Sequence, residues 1–383
     1  MKRAAAAAIS LMTGLAMLTG CSRAEVEETI QPLVADAIEE SDSEAEAVKE
    51  EDESPLIPEI DTDIKIHAGS RIAVVSKCVK GEYWKMVKKG MEDAVKEINK
   101  AYGYKKDDQI TMTFEGPDNE EDVETQINTI DAVIAENPDV LCISASDMDS
   151  CEAQLEAAKE NGIPVIAFDS NVAEKKLVKA YRGTDNVQVG KMAAYQLGSA
   201  LGKMGKVAVF SAQQKTKSVQ DRVEGFMNNI GKYGDIEVVE TIYSDQVDDM
   251  EASMKEVLEK YPTLDGVFCT NADITEMYLN LEKSDEHDAP ALVGVDATTK
   301  QQEAIRNGEE IGCVSQQPYA MGYQTIWAAV ETTAPKKSVV IEKNVLSNPA
   351  WIDVDCLDDP DYSGYLYTCL LYTSPSPRDM RRS

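Results

Sequence analysis

Two doubly wound α/β lobes, each built on its own parallel sheet, are the fold class this sequence predicts, and three observations carry that prediction. Beyond Ser70, apolar runs of strand length alternate with longer segments of helical period. The strand-like runs are rich in Val and Ile without polar alternation, as in strands covered by helices on both faces. The pattern also stops after four strands and restarts near Lys206, so right-handed β-α-β crossovers generate two similar sheets. A chain of 383 residues is longer than one core usually organises.

The elements follow in order. Arg71–Ser76 reads as the first strand, with helical period from about Glu82 to Tyr102. Ile110–Phe114 precedes a helix from Asn119 to about Glu136, and Val140–Ser144 precedes one from about Asp147 to Asn161. Pro164–Asp169 closes the first set. In the second set, strands are expected at Lys206–Ser211, Ile236–Tyr243, Gly266–Thr270 and Leu292–Asp296, each leading into a helical stretch. A strand at Gly312–Gln316, a helix from Tyr319 to about Glu331 and a strand at Val339–Glu342 complete the pattern.

What precedes the folded region speaks to location. Lys2 and Arg3 lead into an apolar run from Ala4 to Leu18 that ends in Leu18-Thr19-Gly20-Cys21. A positive start, a short apolar run and small residues at a cut site read as a secretory signal over residues 1–20. The ending resembles the lipobox of bacterial lipoproteins, which implies a lipid-modified Cys21 and an extracytoplasmic protein held to the cell membrane by acyl chains. No later apolar run approaches transmembrane length.

Residues 21–68 read as an acidic tether. From Ala24 to Asp63 there are sixteen Asp or Glu against one Lys, a composition that self-repels and buries too little apolar area to fold. A short amphipathic helix over Val26–Ala37 is the alternative reading of part of it. The chain's formal net charge of −31 leaves no basic face for nucleic acid. At the other end, residues 370–383 (LLYTSPSPRDMRRS) abandon all periodicity and resemble translated adapter sequence, so they are read as non-native and given no function.

Cysteine and histidine usage narrows the chemistry. Of eight Cys, Cys142, Cys269 and Cys313 fall inside apolar strand runs, where buried thiols are the default. No C-x-x-C or Cys/His cluster suggests a metal, and no cofactor is implied. With only His67 and His287, acid–base or triad chemistry built on histidine has no foundation. Gly202-Lys-Met-Gly-Lys206 lacks P-loop spacing and precedes a strand instead of following one.

Ligands of open parallel sheets bind beyond the carboxyl ends of the strands. There the sequence places Ser76 with Tyr83 and Trp84, then Ser144 to Asp147, then Asp169-Ser170-Asn171. From the second set come Arg222 after Ser211, Asn271 after Thr270, Asp296, and Gln316 before Pro318. A charge finishing an apolar strand is costly without a partner. For Asn119 and Asp147 a helix N-cap is the alternative, and for Asp296 a cap to a helix from Thr298. Asp169 with Asp296 also admits a glycosidase-like carboxylate pair. Together the carboxylates, guanidinium, amide and paired aromatics suit a ligand crowded with hydroxyls, bonded by charge-assisted contacts against an aromatic wall.

At these residues the chain resembles the type I periplasmic sugar-binding proteins, the ribose- and galactose-binding members in particular. The motifs are Glu82-Tyr83-Trp84 followed by Lys-Lys-Gly90; Gly162-Ile-Pro-Val-Ile-Ala-Phe-Asp169; Gly183-Thr-Asp-Asn-Val-Gln-Val-Gly190; Arg222-Val-Glu-Gly-Phe226; and Val293-Gly-Val-Asp-Ala297. They span about Arg71 to Asp355. The resemblance implies sugar contacts at Tyr83, Trp84, Ser144, Asp169, Arg222, Asn271, Asp296 and Gln316. It implies an N-terminal lobe of residues 69–182 plus 317–342 and a C-terminal lobe of 183–316 plus 343–357. A three-segment hinge would cross near Gly183, Gln317 and Lys343.

There are departures from the family pattern: Ser170 where ribose binders carry Arg, a change near Gly81, Val295 for Phe, and no aromatic near Gln246. These reshape the pocket relative to ribose binders.

The function implied is non-enzymatic. A monomeric solute-binding lipoprotein captures a monosaccharide between its lobes and delivers it to an ABC permease. The alternative is a sensory protein presenting a sugar, quorum signal or nucleoside to a membrane receptor. A sugar-responsive repressor shares the fold but needs a basic N-terminal helix-turn-helix, and here a signal and an acidic stretch stand in that place.

Overall fold

The apolar runs assemble into two six-stranded sheets in the computed structural model, which describes residues 57–281, 289–335 and 339–367. Along the chain, β1 (Arg71–Val75), α1 (Gly81–Tyr102), β2 (Thr111–Glu115), α2 (Val123–Ala135), β3 (Val140–Ile143), α3 (Glu152–Glu160), β4 (Val165–Phe168) and β5 (Ala180–Thr184) come first. Then follow α4 (Asn186–Ala200), β6 (Met204–Ser211), α5 (Lys217–Ile230), β7 (Asp235–Tyr243), α6 (Met250–Lys260), β8 (Gly266–Cys269), α7 (Ala272–Leu279) and β9 (Ala291–Val295). The last elements are α8 (Thr299–Asn307), β10 (Gly312–Ser315), α9 (Pro318–Glu331), β11 (Asn344–Ser347) and β12 (Ala350–Ile352).

The first sheet has the order β11-β5-β4-β3-β1-β2 and is parallel throughout. The second runs β12-β10-β9-β8-β6-β7, with only β12 antiparallel to its neighbour. In each, the chain leaves its first strand toward one edge and returns to the other side. This puts a topological switch point between β1 and β3 and another between β6 and β8. Strands β3 and β4 are buried along their whole length, as a Val/Ile run without alternation requires.

Helices α1 and α9 cover one face of the first sheet, packing Val87, Met91, Tyr323 and Ile326 against Ile72 and Val74. The other face buries Ile130, Val133 and Leu155 of α2 and α3 against Val75, Leu141 and Ile143. The second sheet repeats the arrangement. Val189, Leu197 and Phe226 of α4 and α5 lie on one face, and Met254, Ile274 and Tyr278 of α6 and α7 on the other. Two helices have changed sides in the chain: α4 follows a strand of the first sheet but covers the second, and α9 does the reverse.

Close helix packing rests on reciprocal glycines. A Cβ at Gly90 of α1 would lie 2.0 Å from the Tyr319 carbonyl, and one at Gly322 of α9 would lie 2.1 Å from that of Val87. Gly190 of α4 and Gly225 of α5 stand in the same relation to the carbonyls of Arg222 and Val187, at 1.9 and 2.1 Å.

Several expectations shift. The strand expected at Val339–Glu342 has no assigned secondary structure and lies outside the sheet, with Val340 96% exposed; pairing starts where Tyr181 N donates to the Lys343 carbonyl, and the strand is β11. β5, β12 and α4 were not resolved as separate elements in the sequence pattern. Helix α2 starts at Val123 because Asp122 caps it, accepting from Thr125 N, whereas Asn119 closes a local turn onto Glu121 N. Asp147 likewise accepts from Asp149 N and Ser150 N, and α3 begins only at Glu152.

The sheets also place the lobe crossings. β5 and β11 both belong to the first sheet, so the chain leaves it after Thr184 and Ser347, a few residues beyond the expected 182 and 342. The stretch expected as tether up to residue 68 is docked over its last dozen residues. Ile57 and Ile66 are buried, and Tyr102 Oη donates to the Asp61 and Ile64 carbonyls. The expected signal, Cys21 and residues 370–383 lie outside the described residues.

Candidate functional site

Both switch points open onto one cavity of about 620 Å³ between the lobes. Tyr83, Trp84, Asp169, Arg222, Asn271, Asp296 and Gln316 all line it. They arrive from six elements of two sheets, brought together by the fold and not by sequence proximity.

Asp169 follows β4 and Asp296 follows β9, each directly after its strand and each at positive φ, 54° and 79°. That left-handed conformation is uncommon for a residue with a Cβ, and it turns both carboxylates out of the strand line into the cavity. Asp169 Oδ1 accepts from Tyr83 Oη at 2.6 Å, and its Oδ2 accepts from Ser144 Oγ at 2.7 Å and pairs with Lys77 Nζ at 3.0 Å. Asp296 Oδ1 accepts from Gln316 Nε2 at 2.7 Å and Tyr367 Oη at 3.0 Å, while Oδ2 accepts from Ala272 N at 3.0 Å. Asp296 is therefore no cap to α8, whose N-cap is Thr298 in a capping box with Gln301. Ser144 is wholly buried and supports the Asp169 carboxylate from behind instead of lining the cavity.

The second lobe supplies Arg222 from α5. Its Nε donates to Asn186 Oδ1 at 2.8 Å and its Nη1 to the Thr270 carbonyl at 2.7 Å, which fixes the fork at the cavity wall. Asn271 caps α7, its Oδ1 accepting from Ile274 N, so its amide group is held at the cavity edge. On the first lobe, Tyr83 and Trp84 meet edge to face with centroids 5.1 Å apart, and Trp84 Nε1 donates to Glu120 Oε1 at 2.7 Å.

Four further residues shape the site. Lys77, two residues past the end of β1, is 5% exposed and bridges Asp169 and Glu120, with its ammonium 5.6 Å from the Trp84 ring centroid. A charge ending an apolar run is the signal that marked Asp169, and it applied to Lys77 equally. Glu120 comes from the loop after β2, and Asp273 from the first turn of α7; no periodicity singles either out. Tyr367 lies beyond the last periodic segment.

The electrostatics follow from burial and pairing. Burial alone would raise the Asp169 pKa, but the Lys77 charge and the Tyr83 and Ser144 hydroxyls outweigh it and hold the carboxyl below the usual range. Burial lowers the Lys77 value, and Asp169 and Glu120 more than restore it. Burial, then Asp169 beside Tyr83 and Asp296 beside Tyr367, push both phenols well up, so each remains a donor. Burial first, then Glu120, Glu276 and Asp296, push Asp273 up to about 7. By surface area Asp273 is exposed; it is open to the cleft, whose walls and carboxylates surround it.

The lobes meet on both flanks of the cavity. On one, Glu82 Oε2 and Oε1 accept from Thr299 N and Oγ1 at 2.7 and 2.9 Å. On the other, Met148 N donates to the Lys215 carbonyl at 3.1 Å and Gln213 Nε2 to that of Glu120 at 3.1 Å. Among the described residues, no group of three or more His, Cys, Asp or Glu is placed to hold a metal ion, and no helix is long and apolar enough to cross a membrane.

Comparison with known proteins gives a consistent result. The family described as periplasmic binding protein domain matches residues 72–337. The ribose import binding protein of Bacillus subtilis is 26% identical over 220 residues, 57% of this chain and 71% of that protein. A xylitol-binding protein of Mycolicibacterium smegmatis is 25% identical over 211 residues, 55% of this chain and 60% of that one. Among solved structures, an ABC transporter solute-binding protein from Agrobacterium vitis with bound D-fucose aligns with a TM-score of 0.70 at 26% identity. That alignment covers 78% of this chain and all of the other.

Proposed function

We propose, from the premise that the chain belongs to the periplasmic binding protein domain family, that it captures a monosaccharide in the interlobe cavity and delivers it to an ABC importer. The observation that carries this reading is the pair of strand-end aspartates, Asp169 and Asp296, one from each sheet, facing one cavity beside Arg222, Asn271 and an aromatic corner. A carboxylate has about four acceptor positions. Three are occupied on each aspartate, by Tyr83, Ser144 and Lys77 or by Gln316, Tyr367 and Ala272. Each is thereby held rigid with an acceptor to spare for a ligand hydroxyl. Tyr83 and Trp84 offer apolar faces for ring C–H groups, and about 620 Å³ accommodates a monosaccharide with water.

In this mechanism the sugar bonds one lobe first and the second lobe completes its shell, so the ligand favours the shut cleft through its differential contacts. The permease then reads the shut form. Attachment through a lipid on Cys21, following removal of residues 1–20, would hold a monomeric receptor near that permease, on an acidic leader ending in the docked stretch from Ile57.

Calorimetry of the chain against D-ribose, xylitol, D-fucose and other pentoses and hexoses tests the reading. Saturable heat with at least one sugar is expected, and Arg222→Ala or Asp296→Ala should each weaken it by about 1.5–3 kcal/mol, the range for bonds to charged groups. Heat with no sugar, alongside saturable binding of another ligand class, overturns it.

A further inference from the structure

The chain continues past its last strand, and where it ends up bears on the cavity. After β12 the segment from Asp353 folds beneath the second sheet, burying Cys356, Leu357 and Leu366 against Ala297, Ile305 and Ile352. Ser315 Oγ donates to the Tyr365 carbonyl at 2.5 Å. Tyr367 N donates to the Ala297 carbonyl at 3.0 Å, while its own carbonyl accepts from Thr299 Oγ1 and Gln302 Nε2. Four backbone and side-chain bonds and an apolar patch thus fix a side chain of 0% exposure. Its phenol reaches Asp296 Oδ1 at 3.0 Å, the oxygen that also accepts from Gln316. Its ring lies against Tyr83 of the first lobe, centroids 5.9 Å apart at 57°. Tyr83 bonds the other strand-end aspartate, so the two carboxylates lining the cavity are each held by a phenol, and the phenol rings meet between the lobes.

We propose that Tyr367 is a positioning residue of the cavity: with Gln316 it fixes the Asp296 carboxylate, so the segment from Asp353 to Tyr367 is a working part of the binding site. Loss of the phenol frees Oδ1 on one side in a dry setting, and the carboxylate can then turn about its Cβ–Cγ bond and lose its line to the ligand. The binding half of the inference rests on Asp296 being a ligand acceptor, as proposed above; the structural half does not.

The test is Tyr367→Phe in the full chain, which keeps the ring and its contact with Tyr83. In ligand-free protein carrying ¹³C-labelled aspartate carboxyls, the Asp296 resonance should move at neutral pH while that of Asp169 stays, with the melting temperature little changed. Whichever of D-ribose, xylitol or D-fucose the unaltered chain binds best should bind the variant about tenfold more weakly, the scale of one charge-assisted bond. In an Asp296→Ala background, where the phenol has no carboxylate to hold, the same change should cost less than twofold, because two residues acting through one group are not additive. An unmoved Asp296 resonance, or a full tenfold loss on top of Asp296→Ala, overturns the inference. If none of the sugars binds the unaltered chain, the monosaccharide reading fails while the resonance still decides the role of Tyr367.

Discussion

Asp273 reaches the cavity from the second lobe and meets Glu120 of the first, together with Glu276 and Asp296. Its folded value of about 7 stands above the 3.8 of an unhindered aspartate. Between these values the folded protein keeps a proton that the unfolded chain has released. The contribution to stability is therefore whole below about pH 4 and is lost as pH rises through 7. Asp169 works in the opposite sense, its stabilisation present at neutral pH and lost on acidification. Asp273→Asn should flatten the decline in melting temperature between pH 5 and 8 while leaving the acid limb in place; an unchanged profile shows that Asp273 does not titrate there. At this scale the sequence was informative wherever a charge finished an apolar strand, as at Asp169 and Asp296. Lys77 carried the same mark. Glu120, Asp273 and Tyr367 lie in a loop, a first helical turn and a segment past the last repeat, where neither period nor composition separates a cavity residue from a solvated one.

Elements were legible where burial is symmetrical. Fully covered strands such as β3 and β4 cannot alternate, and their Val/Ile runs declare them. β5 carries Tyr181 and Arg182, and β11 and β12 are short edge strands of mixed character, so their pairing is a tertiary outcome. Of the glycines in the family-like motifs, Gly90, Gly190 and Gly225 prove to be packing residues, whereas Gly162 sits at positive φ with open space around it. At Gly190 a methyl group would meet the Arg222 carbonyl at 1.9 Å, in a helix that also presents the Arg222 side chain to the cavity. Gly190→Ala should cost about 1–3 kcal/mol in urea unfolding, the usual penalty for overpacking, and should weaken sugar binding by displacing α5. Gly234→Ala, which meets nothing within 4 Å, is the control expected to leave both unchanged. Equal unfolding midpoints for the two variants would refute the close-packing account.

For the molecule entire, the flanking contacts hold the two lobes against each other, and in the proposed mechanism they bias the shut form. Glu82 places a carboxylate at the N-terminus of α8, a favourable position for an anion, and takes two hydrogen bonds there. Glu82→Ala should destabilise the shut form by about 1 kcal/mol. In stopped-flow that is several-fold faster sugar release with little change in the association rate, and a change confined to association would contradict it. One more property follows from the exchange of α4 and α9 between sheets. A growing or threading chain has synthesised β1 to β5 by Thr184, yet the sheet they form still lacks its covering helix α9 and its edge β11, which come only with residues 318–347. The second sheet likewise waits for β12 at residues 350–352. Neither half can finish folding as a leading segment, so the polypeptide stays incomplete, and threadable, until almost its whole length has emerged.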